Sequence, residues 1–340
     1  MHLTADQLAP LTARLDDALA AHLPGNRLER LDPLPGGASS LTFVARLAGS
    51  PRRAGGDPRI VVKVAPPGLE PVRNRDVLRQ AGLLRRLARL TALPVPEVLF
   101  EVTGDGPARP PFFAMGFVEG ESVEPILDPV EPPPTPLLAT RWRSAAALLA
   151  ELHRARAEDL APGEPAAVDL AAEVGRWARA LESVPERMRP GARECGAALL
   201  ATVPSPARPA VLHGDFRLGN MLCRGAKVAA VIDWEIWSIG DPRVDLAWTR
   251  TFTHPDRLPT AVRAVEGLPT ADEVQAIYEG AAGSYVTEMT WFDALARFKQ
   301  AAVTALIVKH NARRAVPDPF LAGAGPAVAR SIADARRLLA

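Results

Sequence analysis

Apolar residues alternate with polar ones through most of the first third of the chain, then settle into a helical period. The opening stretch "MHLTADQLAPLTARLDDALAAHL" is the exception, since its leucines and alanines recur at the spacing of an amphipathic helix. "NRLERLDPLPGGASSLTFVARLAG" and "PRIVVKVAPP" follow as strands, with Pro35, Gly36 and Gly37 as the turn between the first two. In "PVRNRDVLRQAGLLRRLARL" residues Val77, Leu83, Leu84 and Leu87 share one helical face. Further strands are expected near 97–102 and 112–118, joined by "TGDGPARPP". The first part therefore reads as a sheet with one inserted helix.

From residue 137 onward the pattern is helical, as in "LLATRWRSAAALLAELHRAR", "LAAEVGRWARALESV" and "TWFDALARFKQAAVTALIVKHNARRA". Short strand-like pieces, "PAVLHGD", "NMLCRG" and "KVAAVIDWE", interrupt it. The expected division is residues 1–118 as a first domain with its leading helix, 119–136 as a proline-rich hinge, and 137–340 as a helical domain. The fold class is α+β. No repeat of the kind that builds solenoids is visible.

Composition narrows the function. At 340 residues the chain exceeds the usual size of a single core. Its 40 lysines and arginines balance 39 acids, with no concentrated basic block, which argues against a nucleic-acid or membrane-surface partner. No run of about 18 uncharged apolar residues is present, and the N-terminus lacks the pattern of a signal peptide. Cys195 and Cys223 have no metal-type spacing. A cytoplasmic location is the expectation. Prolines, 34 in all, cluster between the periodic segments and mark the joints.

The chemistry concentrates in "AVLHGDFRLGNMLC", residues 210–223, where three polar residues interrupt apolar runs. His213, Asp215 and Asn220 fit H-x-D-x-x-x-x-N, the spacing of a phosphoryl-transfer loop in which the aspartate takes the acceptor's hydroxyl proton and the asparagine binds magnesium. Asp and Asn also favour turns, so the spacing gains weight from a partner. That partner is Asp233, at the end of the strand-like "VAAVID". Mg²⁺ takes hard oxygen ligands, typically one or two carboxylates with phosphate oxygens and water, and Asp233 with Asn220 supplies such a set.

"LHGDFRLGNML" followed by "VIDWEIWSIGDPRVDLAW" resembles the aminoglycoside phosphotransferase and choline kinase superfamily, relatives of protein kinases. The branch it most resembles is the one found fused or adjacent to acyl-CoA dehydrogenases. The resemblance runs from about residue 30 to residue 310 and implies a two-lobed protein-kinase-like fold and a small-molecule kinase using ATP and Mg²⁺. It implies Asp215 as catalytic base, His213 as support for the loop, Asn220 and Asp233 as magnesium ligands, and Asp245 as a buried acid bonding backbone near the loop. Gly214 after the histidine, and Asp233-Trp234-Glu235 in place of D-F-G, favour a small-molecule kinase over a protein kinase.

Lys63 is the lone charge in "IVVKVA", costly in a buried strand unless it meets anions, and the kinase reading gives it the α- and β-phosphates. Gly36, Gly37 and Ser39 form a candidate nucleotide-covering turn. The resemblance lays adenine against Met115, Phe117 and Val118. It also expects an acid from the first helix to hold the lysine, at a position this chain gives to Gln80; Gln80 and Asp76 are the candidates for that support. Residues 251–340 carry ten Lys or Arg against nine acids, so no acidic excess suits a polycationic aminoglycoside. Lys309, Arg313 and Arg314 suggest instead a neutral or anionic hydroxylated substrate, for example an acyl thioester or phosphorylated metabolite. The competing reading is a nucleotide-binding interaction module whose chemistry has decayed, as Gln80 could suggest.

Overall fold

A computed structural model describes residues 5–34, 40–49, 57–106 and 108–340 of the chain. The candidate turn residues Gly36, Gly37 and Ser39 lie outside the described residues. The chain divides into two compact units, residues 1–120 with 229–237, and residues 121–228 with 238–340. The strand end that carries Asp233 thus groups with the first unit, although its neighbours on both sides belong to the second.

In the first unit, α1 (Ala5–His22) precedes β1 (Asn26–Pro33), β2 (Leu41–Gly49) and β3 (Arg59–Val64). α2 (Val77–Leu90) then leads to β4 (Val98–Val102) and β5 (Phe112–Gly116). The strands form one antiparallel sheet in the order β1-β2-β3-β5-β4. Period-two burial sorts its faces: Leu41, Phe43, Ala45 and Leu47 of β2 and Ile60, Val62 and Val64 of β3 join one core with Leu11, Leu15, Ala18 and Leu19 of α1. Those α1 residues recur at helical spacing, so the helix covers the sheet with a single stripe.

β3 is paired on both sides, with Lys63 opposite Thr42 and Phe113. Lying between Val62 and Val64, its side chain leaves the α1 core and emerges on the other face. α2 buries Val77, Gln80, Ala81, Leu83, Leu84 and Leu87 and packs on β4 and β5. The segment 229–237 is fastened here as well. Val231 N–H donates to Pro94 O at 2.8 Å, and the Arg79 guanidinium lies 3.5 Å from the Trp237 ring centroid.

The second unit contains α3 (Thr135–Arg154), the short α4 (Ala157–Leu160), α5 (Leu170–Glu182) and α6 (Ala192–Ala201). Next come β6 (Ala210–Leu212), β7 (Met221–Arg224) and β8 (Lys227–Val231), the last being the strand along which the chain passes back to the first unit, and then β9 (Ser238–Gly240). α7 (Arg243–Thr251), α8 (Ala271–Ala282), α9 (Met289–Asn311), the short α10 (Pro319–Ala322) and α11 (Gly325–Leu338) complete it. α9 is buried along most of its length and packs against α5, α6, α7 and α11. β6 pairs antiparallel with β9, which fixes the start of the loop after Leu212. No helix among the described residues is long and apolar enough to cross a membrane.

Candidate active site

The loop after β6 is built around one buried acid. Asp245, in the first turn of α7, is fully buried and accepts the N–H groups of His213 at 2.6 Å and Gly214 at 2.9 Å. Gly214 sits at φ +86°, where a side chain would be strained, so a glycine follows the histidine for a backbone reason. Burial alone pushes the Asp245 carboxyl up, but contact with His153, whose Nε2 is 3.6 Å away, and the nearby His213 and Lys299 outweigh it and hold it below the carboxylate range. His213 is fully buried, accepts the Asp215 N–H at Nδ1 (3.2 Å), and meets Phe216 edge-on. It therefore shapes the loop.

Asp215 is held at both oxygens. Trp248 Nε1 donates to Oδ1 at 2.7 Å, Asn220 Nδ2 to Oδ2 at 2.7 Å, and Arg217 Nε approaches Oδ2 at 3.1 Å. Trp248 lies one helical turn beyond Asp245 on α7, so one helix pins the loop backbone and orients its carboxylate. Asn220 Nδ2 also donates to Asp215 O at 2.8 Å. That fixes the amide nitrogen on the aspartate and turns the amide oxygen away from it, as a hard ligand for a cation requires.

Besides Trp248, three neighbours of the loop were not among the residues singled out from sequence. Lys299, in the buried middle of α9, donates to Gly214 O and lies 4.0 Å from the Trp248 ring centroid; burial lowers its basicity. Its signal was available, as the only charge in "FKQAAVTAL". Arg217, inside the motif itself, bridges Asp215 to Glu124. Glu124 is 1% exposed and accepts the Gly219 N–H at 3.0 Å. Burial raises its carboxyl to about 7 against the opposing pull of Arg217.

In the first unit, Lys63 is 7% exposed and meets two acids of the 229–237 segment, Asp233 Oδ1 at 3.6 Å and Glu235 Oε2 at 3.8 Å. Asp233 occupies the left-handed region at φ +66°, sparsely populated outside glycine and tolerated by Asp. Trp234 follows it, buried, with Nε1 donating to Val231 O at 3.0 Å. A small cavity gathers Lys63, Gln80, Met115, Phe113 and Asp233. Phe117 and Val118 line a different, larger cavity with Arg59 and Leu47, and the Arg59 guanidinium stands 3.9 Å from the Phe117 ring centroid. Of the two candidates for the lysine's support, Asp76 caps α2 by accepting the Arg79 N–H at 3.0 Å, while Gln80 shares the small cavity with Lys63 and its Nε2 donates to Asn74 O at 3.3 Å.

Among the described residues no group of three or more His, Cys, Asp or Glu could hold a metal ion. The Asn220 amide oxygen in the second unit and the Asp233 carboxylate in the first are each hard oxygens, the donor chemistry that Mg²⁺ takes alongside water and phosphate oxygens.

Comparison with known proteins places this arrangement. The model of the phosphotransferase enzyme family matches residues 30–278, and the chain belongs to that family, whose members transfer phosphoryl groups. A putative aminoglycoside phosphotransferase from Ralstonia eutropha has the same fold, with a TM-score of 0.74 and 18% identity over 96% of this chain and 98% of its own. Aminoglycoside phosphotransferase APH(4)-Ia, solved as a ternary complex with AMP-PNP and hygromycin B, superposes at a TM-score of 0.59 with 15% identity, covering 94% and 98%. The α+β fold is thus that of kinase-like small-molecule phosphotransferases. A probable acyl-CoA dehydrogenase of Arabidopsis thaliana, IBR3, is 28% identical over 56% of this chain but only 24% of its own length. The chain therefore spans about a quarter of that relative.

Proposed function

We propose that the protein transfers the γ-phosphoryl group of ATP, with Mg²⁺, to a hydroxyl of a small molecule. Asp215 is the base, Asn220 and Asp233 are the magnesium ligands, and Lys63 is the clamp on the α- and β-phosphates. The observation that carries the reading is the Asp215 carboxylate, fixed by Trp248 and Asn220 on a loop whose backbone is tied to the buried Asp245. Family membership and the nucleotide analogue bound by the APH(4)-Ia neighbour support it.

Phosphoryl transfer asks the protein mainly for positioning and charge neutralisation. Asp215 orients the acceptor O–H and takes its proton as the bond to phosphorus forms. Arg217, beside Asp215, keeps that carboxylate from swinging and adds positive charge near the loop. Bound Mg²⁺ supplies charge neutralisation on the phosphates, and Asn220 and Asp233 would hold it. Gly36, Gly37 and Ser39 belong to the proposal as the covering turn, and Met115, Phe117 and Val118 as the surroundings of the adenine ring.

The acceptor is proposed to be neutral or anionic. Lys309 Nζ donates to Ser183 O at 2.7 Å, while Arg313 and Arg314 are exposed. The proposed workplace is the cytoplasm.

The test is a substrate panel of aminoglycosides, choline-like amines, sugars and hydroxyacyl thioesters, read by ADP release. ATP with Mg²⁺ raises the melting temperature of the wild type, and EDTA removes that shift. Asp215→Asn keeps the shift and loses turnover by about 10²- to 10⁴-fold, the usual contribution of a positioned base. A wild type indifferent to Mg·ATP rejects the proposal. One that binds it, yet turns over no acceptor in the panel, favours the decayed module.

A further inference from the structure

A kinase-like site needs an acid to hold its phosphate-binding lysine, and this chain has glutamine at the helix position where the resemblance expects that acid. A buried ammonium without a counter-charge is expensive, and Lys63 is 7% exposed. Gln80 offers no charge and has committed its amide nitrogen to Asn74 O. Asp76, one turn earlier, has committed an oxygen to the cap of α2. The acids within 4 Å of Lys63 Nζ come instead from the strand end, at positions 233 and 235.

Those two acids are not equivalent. The Asp233 side chain is 39% exposed, and under the proposed function its carboxylate goes to the metal. The Glu235 side chain is 12% exposed, with Oε2 turned to the lysine in the protein interior. Both carboxylates nevertheless lie within 4 Å of the same ammonium, and the buried Trp234 between them, tied to Val231 O, locks the segment in place. When Asp233 is engaged by a cation, Glu235 remains as the carboxylate facing the ammonium.

We propose that Glu235 is the positioning residue of Lys63, doing from the metal-binding strand what a helix glutamate does in other kinases. The inference rests on the phosphotransferase reading and concerns residues of the first unit alone. The exchange has a chemical logic: acid and lysine remain paired, while the helix that usually supplies the acid is relieved of that duty. The state of α2 then no longer sets the charge balance at the lysine.

The experiment compares Glu235→Gln, Glu235→Asp and the double variant Gln80→Glu with Glu235→Gln in the full chain. Mg·ATP binding is read by calorimetry, and turnover by separate KM values for ATP and acceptor. Glu235→Gln weakens Mg·ATP binding and raises KM for ATP about tenfold, the loss of one charge-assisted contact, while KM for the acceptor stays put. Adding Gln80→Glu returns a carboxylate to the cavity that Lys63 lines and recovers most of that loss, which repair of a merely structural defect would not do. Glu235→Asp, which keeps the charge on a shorter stem, falls between and serves if the glutamine variant does not fold. Wild-type ATP affinity in Glu235→Gln, or a loss that Gln80→Glu leaves untouched, overturns the assignment. A wild type that does not bind Mg·ATP rejects the phosphotransferase reading itself, a different result from an indifferent Glu235.

Discussion

Glu124 is the residue at which the loop and pH meet. Its carboxyl moves from an ordinary 4.5 to about 7, so the folded protein takes up a proton that the unfolded chain does not between those values. Stability therefore rises as pH falls through about 7 toward 4.5, and this contribution is lost again as pH climbs. Glu124→Gln, which keeps an oxygen for the Gly219 N–H, is expected to stabilise the protein at pH 8 by on the order of 2 kcal/mol and to lose most of that advantage near pH 5. Thermal melts of both proteins across that range check it. At the same scale, Trp248→Phe removes one donor from Asp215 while keeping an aromatic ring under Lys299. We expect kcat to fall about tenfold with KM for ATP unchanged, as for a neighbour that orients the proposed base, measured by steady-state kinetics.

Among the elements, those with a strong period were legible and those fixed by distant contacts were not. β2 alternates, β3 is a short β-branched run, and α2 carries one apolar stripe, so the sequence pattern located them to within a few residues. β9 is three residues long and exists because β6 lies beside it, which no local pattern announces. Lys63 stood out because a charge in an apolar strand demands a reason. Glu235 did not, since its partner is 172 positions earlier in the chain and its neighbours read as an ordinary polar turn. The Asp215 loop was visible because its residues lie within eight positions, whereas Lys299 and Trp248 reach it from other helices.

α9 carries a further consequence of burial. Asp293 accepts from Arg250 of α7 and from Arg257, and Arg297, one turn on, donates to Arg257 O with its guanidinium lowered to about 10, chiefly by burial. Removing the shared carboxylate takes a counter-charge from both Arg257 and the buried Arg250, which is left its ion pair with the exposed Asp272 at 3.2 Å. Asp293→Ala is expected to cost roughly 3–5 kcal/mol, read from the urea midpoint. Asp293→Asn, which retains an acceptor, should cost less.

At the scale of the molecule, the family model covers most of the chain, whereas the Arabidopsis relative is some four times longer than the stretch it shares. The first unit is not a continuous piece of polypeptide, however. It borrows residues 229–237 from the far side of the second unit's first half, and with them Asp233, Trp234 and Glu235. A protein expressed only to Gly120 would keep the lysine and forfeit both carboxylates that face it. No single protease nick or gene truncation can therefore release the first unit whole, and reconstituting it from fragments would need the excised nonapeptide supplied as a second component.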